Sequence, residues 1–189
     1  MHALAVRNLI NIFNEGSGDK KSIGVCAPYA AQSKMHASIN SSQENVVAGT
    51  VHRFQGDEKN IMIIDTVDSL GEGDVGFWAL SDLPSEDGCR LWNVAISRAQ
   101  DHLYFIGNLT HLNTHLPKKS FLRTILYNAQ NSGQVIDVDD ILRLNPETDD
   151  LKHLTKQFEL DDATLEKGLF NNRDFERVFL EDIKKAEKT

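Results

Sequence analysis

Two short strings carry residue types and spacing that read together as one edge of a nucleotide-dependent site. Residues 47 to 58 read Val-Ala-Gly-Thr-Val-His-Arg-Phe-Gln-Gly-Asp-Glu, and residues 92 to 100 read Trp-Asn-Val-Ala-Ile-Ser-Arg-Ala-Gln. Each sets polar residues at the end of an apolar run, where an open α/β sheet presents groups to a ligand beyond its strand ends. Gln55, Gly56, Asp57 and Glu58 read as a turn. Glycine there permits close backbone approach, and exposed N–H groups beside a carboxylate orient a nucleotide and its metal, although such turns often only link strands. Arg98 follows the apolar Leu91, Val94 and Ile96 within a predicted helix, where a guanidinium calls for a carboxylate partner or an anionic ligand. Considered alone, Arg98 is read as structural, paired with Asp101 or Asp57.

Other constellations carry less. Gly71-Glu72-Gly73-Asp74-Val75-Gly76 has the glycine spacing of a dinucleotide fingerprint. Glu72 and Asp74 would stand against a pyrophosphate, however, and Phe77 to Pro84 does not open like the helix that must follow, so an acidic loop is expected instead. His111 and His115 share a predicted helical face without a carboxylate or cysteine to complete a metal site, and are read as solvated. Neither Ser97 nor Cys26 has the partners of a nucleophile by spacing.

The elements that must position these groups alternate between strand and helix. Residues 3 to 13 and Ala30 to Ile39 have helical spacing; Ser22 to Ala27, Val46 to Val51, Asn60 to Val67 and Leu103 to Ile106 read as strands. The run Ile61-Met62-Ile63-Ile64 is continuous and apolar, the mark of a strand covered on both faces. This order predicts an α/β fold with a mostly parallel sheet and helices on both sides. Residues 68 to 90 are rich in glycine and carboxylates and read as a long surface excursion, of the kind that is functional or mobile. Past Pro117, Phe121, Leu122, Ile125 and Leu126 return to helical spacing. From Asp137 to Asp162 nine carboxylates outweigh Arg143, Lys152 and Lys156, which predicts a solvated connector.

The 189 residues suffice for one domain, 1–116, and a helical, acidic C-terminal extension, 117–189. The net charge of −8 lowers the expectation of nucleic-acid binding without excluding it, because counterion release needs only a local basic patch. The two cysteines lie far apart in sequence, as suits reduced thiols and a cytoplasmic setting. No window approaches about 18 consecutive apolar residues, so neither a signal peptide nor a membrane partner is expected.

Three strings in order change the weight of Arg98. Ala27-Pro28-Tyr29-Ala30-Ala31-Gln32, then Gly49-Thr50-Val51-His52-Arg53-Phe54-Gln55-Gly56-Asp57-Glu58, then Trp92-Asn93-Val94-Ala95-Ile96-Ser97-Arg98-Ala99 closely resemble motifs IV, V and VI of superfamily 1 helicases. The subgroup is that of the nonsense-mediated-decay RNA helicase and its DNA-helicase relatives, and the resemblance spans about residues 23 to 108. It implies a RecA-like second motor lobe of the P-loop NTPase type. By resemblance, Arg98 is the arginine finger reaching the γ-phosphate of ATP. Gly56 and Glu58 meet the nucleotide, and Gln55 couples that turn to the nucleic-acid track. Thr50, His52, Tyr29 and Gln32 face the backbone of single-stranded DNA or RNA. No GxxxxGK[ST] loop occurs in the chain. ATP and Mg2+ are therefore expected to be held mainly by a first RecA-like lobe upstream in a longer parent, and this fragment alone is expected to be inactive. The alternative is a non-catalytic nucleic-acid or protein-binding module that retains the fold. Residues 169 to 186 are read either as an amphipathic helix packing on the lobe or, by a faint resemblance, as the opening of a phospholipase D-like domain.

Overall fold

In a computed structural model, the residues described are 2–16, 20–68, 75–138 and 141. The acidic connector and terminal segment from residue 142 on lie outside them, as does most of the Gly71 to Gly76 motif. Four strands, β1 (Ile23–Cys26), β2 (Val46–Gly49), β3 (Lys59–Asp65) and β4 (Ala99–Ile106), pair in parallel in the order β2-β1-β3-β4. Helices α1 (His2–Gly16) and α2 (Ala30–Ile39) lie on one face. On the other lie α3 (Phe77–Leu80), α4 (Asp87–Ile96), α5 (Leu109–His115) and α6 (Phe121–Ser132). The predicted RecA-like α/β arrangement, with both faces of a parallel sheet covered, is the one observed.

Strand alternation divides the core in two. Ile23, Val25, Ile61 and Ile63 meet Val6, Leu9 and Ile10 of α1, whereas Cys26, Met62 and Ile64 meet Trp92 and Ala95 of α4. Because side chains alternate across a strand, only an unbroken apolar run serves both layers, which is why β3 reads as it does. The residues Leu122 and Leu126 of α6 are buried in the same layer as α4. Asn108 and Ser120 start α5 and α6 by accepting hydrogen bonds from the backbone N–H groups of His111 and Arg123.

Three boundaries differ from the sequence reading. The predicted second strand stops at Gly49, and Val51–Phe54 forms a 3-10 helix. Residues three apart eclipse in such a turn, so Val51 and Phe54 both enter the core. The excursion after β3 contains α3 and the start of α4. Finally, β4 begins at Ala99 rather than Leu103, because an edge strand with Gln100, Asp101 and His102 exposed lacks an apolar signature there.

The 3-10 helix crosses from the carboxyl end of β2 to the amino end of β3 over β1. Gly24 makes that crossing possible: a Cβ there would collide with the Met62 sulfur and stand 3.0 Å from the Phe54 ring. Full burial of Phe54 contributes about 1.5–3 kcal/mol.

At the carboxyl end of β3, Asp65 is fully buried. Its carboxylate meets His2 Nδ1 at 2.6 Å and His36 Nε2 at 2.7 Å, and accepts from Gln32 Nε2 at 2.8 Å and from the Val67 N–H at 2.9 Å. One carboxylate thus joins α1, α2 and β3, and holds Val67 at φ 65°, a left-handed conformation that costs a β-branched residue on the order of 1–3 kcal/mol. Burial pushes the Asp65 carboxyl up, but hydrogen bonds from His2 and His36, with their charge, outweigh it and hold it well below the usual carboxylate range. A depressed pKa contributes stability above the ordinary value of 3.8 and loses it as pH falls below that value. Asp65→Ala is therefore expected to cost about 3–5 kcal/mol in urea unfolding at neutral pH. Its deficit relative to wild type should shrink as pH drops from about 4; a constant deficit across that window would mean that Asp65 acts by packing alone.

Candidate nucleotide and nucleic-acid site

The residues singled out by resemblance fall into two groups at opposite ends of the sheet. Tyr29 follows β1, and Thr50 and His52 follow β2, at the carboxyl ends of the strands. Gln55, Gly56 and Glu58 lead into β3, and Arg98 leads into β4, at the amino ends. The first string thus reaches both ends of the sheet, joined by a 3-10 helix that buries Val51 and Phe54, whereas the second reaches the amino end.

At the amino ends the strings meet. The Lys59 N–H donates to the Arg98 carbonyl at 2.9 Å, and Gln100 Nε2 donates to a Glu58 carboxylate oxygen at 3.1 Å. Pairing of β3 with β4 is irregular between Lys59 and Ile61, beside these contacts. Gly56 adopts φ 77°, and a Cβ on it would meet nothing within 4 Å. Its glycine therefore answers the left-handed backbone rather than crowding, and leaves the turn open to an approaching ligand.

Arg98 stands just past the end of α4, in the turn to β4, rather than within the helix. Both carboxylates considered as its partners are otherwise engaged: Asp57 with Lys59 Nζ at 2.9 Å, Asp101 with Lys21 Nζ at 2.9 Å. The guanidinium donates to Ser97 Oγ from Nε at 3.3 Å and from Nη2 at 2.9 Å. Among the described residues no carboxylate lies within 4.0 Å of it, so the pairing that would make Arg98 structural is not formed.

At the carboxyl ends Thr50 and His52 present polar side chains, His52 exposed and Thr50 half-buried. Tyr29 and Gln32 instead turn their polar atoms inward. The Tyr29 hydroxyl accepts from Trp78 Nε1 at 2.8 Å and donates to Asp68 at 3.4 Å, and the Gln32 amide is held by Asp65. Sequence reasoning did not find Asp65, His36 or Trp78. The one signal for Asp65 is an acid closing the apolar run of β3.

Burial pushes the Cys26 thiol up to about 12, with Asp65 adding to the shift, so it packs as a small hydrophobe at neutral pH. Cys89 is likewise buried and free. His111 and His115 stack with ring centroids 4.2 Å apart, as the shared face predicts, but His111 is buried in the core rather than solvated. Among the described residues no group of three or more His, Cys, Asp or Glu stands close enough to hold a metal ion. No described helix is long and apolar enough to cross a membrane.

Residues 2–110 match AAA_12, an AAA domain family. The DNA replication ATP-dependent helicase/nuclease DNA2 of Bos taurus is 30% identical over 161 residues, 84% of this chain and 14% of the relative. The DNA-binding protein SMUBP-2 of Mesocricetus auratus is 33% identical over 114 residues, 60% of this chain and 10% of the relative. A putative helicase of Danio rerio, mov-10-B.1, is 33% identical over 110 residues, half of this chain. The chain thus spans 10% to 14% of the length of the relatives DNA2 and SMUBP-2. With a family match that covers more than half of its residues, on a parallel sheet carrying all three motif strings, the chain belongs to the AAA_12 family, the C-terminal helicase region of superfamily 1 helicases.

Proposed function

We propose that this chain is the second motor lobe of an ATP-dependent helicase or translocase that works on single-stranded nucleic acid. The observation that carries the reading is the arrangement of Arg98, a half-buried guanidinium free of carboxylates among the described residues and joined through the β3 and β4 ends to the open Gly56 turn. A cation so placed suits an anionic ligand, and its bond to Ser97 limits the rotamers it must give up on binding. In the proposed cycle a first RecA-like lobe of a longer parent carries ATP with Mg2+, which neutralises phosphate charge. Closure brings Arg98 to the γ-phosphate and the Gly56 N–H with Glu58 alongside the nucleotide. Gln55, following the 3-10 helix that Val51 and Phe54 anchor in the core, passes that closure to Thr50 and His52. Those two hold the phosphate backbone through a hydroxyl and an imidazole without reading sequence, with Tyr29 and Gln32 forming the wall behind them. Coupling of the two ligands is reciprocal: nucleic acid that favours the closed state tightens ATP to the same degree. Two buried free thiols suit a reducing compartment such as the cytoplasm.

DNA2 carries helicase and nuclease in its name and SMUBP-2 carries DNA binding, which favours DNA as the strand for this chain. The deciding assay is ATP hydrolysis by the parent protein with and without single-stranded DNA or RNA, wild type against Arg98→Ala. Hydrolysis stimulated by a strand is expected, and the variant is expected to lose about 10³- to 10⁵-fold in rate, the range for arginine fingers. A folded parent that binds a strand and hydrolyses nothing would instead be a binding module. Replacing both Thr50 and His52 by alanine is expected to weaken strand binding roughly five- to thirty-fold, the loss of about 1–2 kcal/mol of hydrogen bonding. That loss should be equal for strands of different sequence in an anisotropy titration; a sequence-dependent loss would place these residues on bases instead.

A further inference from the structure

A series of side-chain hydrogen bonds crosses the amino ends of the sheet, from Ser22, which precedes β1, to Glu58, which precedes β3. The Ser22 backbone N–H and hydroxyl both donate to Asn60 Oδ1, at 3.2 and 2.8 Å. An amide oxygen that accepts from a backbone N–H fixes the orientation of its amide, so Asn60 Nδ2 is left to donate. It donates to Gln100 Oε1 at 3.3 Å and to Asp101 Oδ2 at 3.4 Å. Gln100, its oxygen so engaged, donates in turn from Nε2 to the Glu58 carboxylate. Each amide orientation follows from the one before it, and the series of donors ends on Glu58. Hydrogen bonds in series polarise one another, and the last of these falls on a charged acceptor.

The start of β4 is shaped for this reach. Lys59 lies opposite Ala99, yet Ile61 lies opposite His102, so Gln100 and Asp101 together face the single residue Asn60. That is a β-bulge, an arrangement rare between parallel strands and frequent where a side chain is re-aimed beside a site. The extra residue divides two tasks: Asp101 is tied to Lys21 at 2.9 Å, and Gln100 turns to Glu58. Glu58 is exposed, and among the described residues Gln100 is the hydrogen-bond partner of its carboxylate. An exposed glutamate otherwise gives up rotamer freedom on meeting a ligand, a cost that a preset rotamer removes.

We propose that Gln100 is a positioning residue for the nucleotide, presetting Glu58 beside the Gly56 turn through a bulge placed two residues after Arg98. The assignment rests on the nucleotide contact of Glu58 proposed above and deepens it by naming what holds that carboxylate. A preset carboxylate serves bound ATP and the transition state alike, so it acts on binding rather than on the chemical step.

The test compares strand-stimulated ATP hydrolysis by the parent protein as wild type, Gln100→Leu, Glu58→Ala and the double variant. Gln100→Leu is expected to raise KM for ATP about two- to tenfold, the worth of one hydrogen bond, with kcat within about twofold of wild type. In the Glu58→Ala background the same change should move KM by less than about twofold, because a residue that acts through Glu58 has nothing left to act on. Gln100→Lys, which still donates to a carboxylate, should keep KM near the wild-type value. A merely structural role would lower the melting temperature and add its effect with or without Glu58. A KM unmoved by Gln100→Leu, or one that rises equally in both backgrounds, overturns the proposal and leaves the motor reading standing. A KM indifferent to Glu58→Ala takes that carboxylate off the nucleotide, with the same result. A folded parent that hydrolyses nothing overturns both.

Discussion

The crossing of residues 50 to 58 over β1 is the constraint on which the remainder of this structure depends. Nine residues must descend from the carboxyl end of β2 to the amino end of β3, and they do so through a 3-10 helix whose Phe54 lies on Gly24. A longer connection would let each end of the sheet move alone. A short one pinned to the closely packed core by Val51 and Phe54 makes the two ends answer to one another. The polar groups at Thr50 and those at Gly56 differ in place by the height of the sheet and in sequence by one turn.

Around that crossing, the other helices act as mounts. The Asp65 carboxylate fastens α1 and α2 to β3 on one face, and Trp92 and the Tyr29 hydroxyl fasten α3 on the other. Both clusters centre on residues next to strand ends, so the loops that face a ligand inherit the stiffness of the sheet. Buried polar contacts of this kind are costly if broken and specify one arrangement when complete. The left-handed Val67 shows the same economy of conformations, since its strain persists only because the Asp65 carboxylate holds its N–H.

The sequence displayed the sheet more readily than the site. Ile61 to Ile64 and the alternation of strand and helix announce a parallel sheet because burial on both faces forces apolar residues at every position. The motif strings likewise mark Arg98 and Gly56 by type and order. What stayed hidden depends on contacts between distant segments. That Asp57 pairs with Lys59 and Asp101 with Lys21, and neither with Arg98, depends on contacts no local spacing displays. The inward turn of Tyr29 and Gln32 follows from Trp78 and Asp65, 49 and 33 residues away in sequence. The short helix at Phe77 has no periodicity to display in four residues. The early start of β4 is masked because an edge strand needs apolar residues on fewer sides.

That edge has a further meaning. An open sheet ends in strands whose backbone N–H and C=O groups invite another chain, and among the described residues β4 is such a strand. Its first half carries Gln100, Asp101 and His102 outward, Lys21 bridges to Asp101, and its register with β3 slips at Ile61. Charge and irregular pairing together blunt the template for strand addition. A neighbouring domain that meets this edge will therefore do so through side chains, in contacts that can be made and released repeatedly, rather than by extending the sheet in a contact that would be permanent.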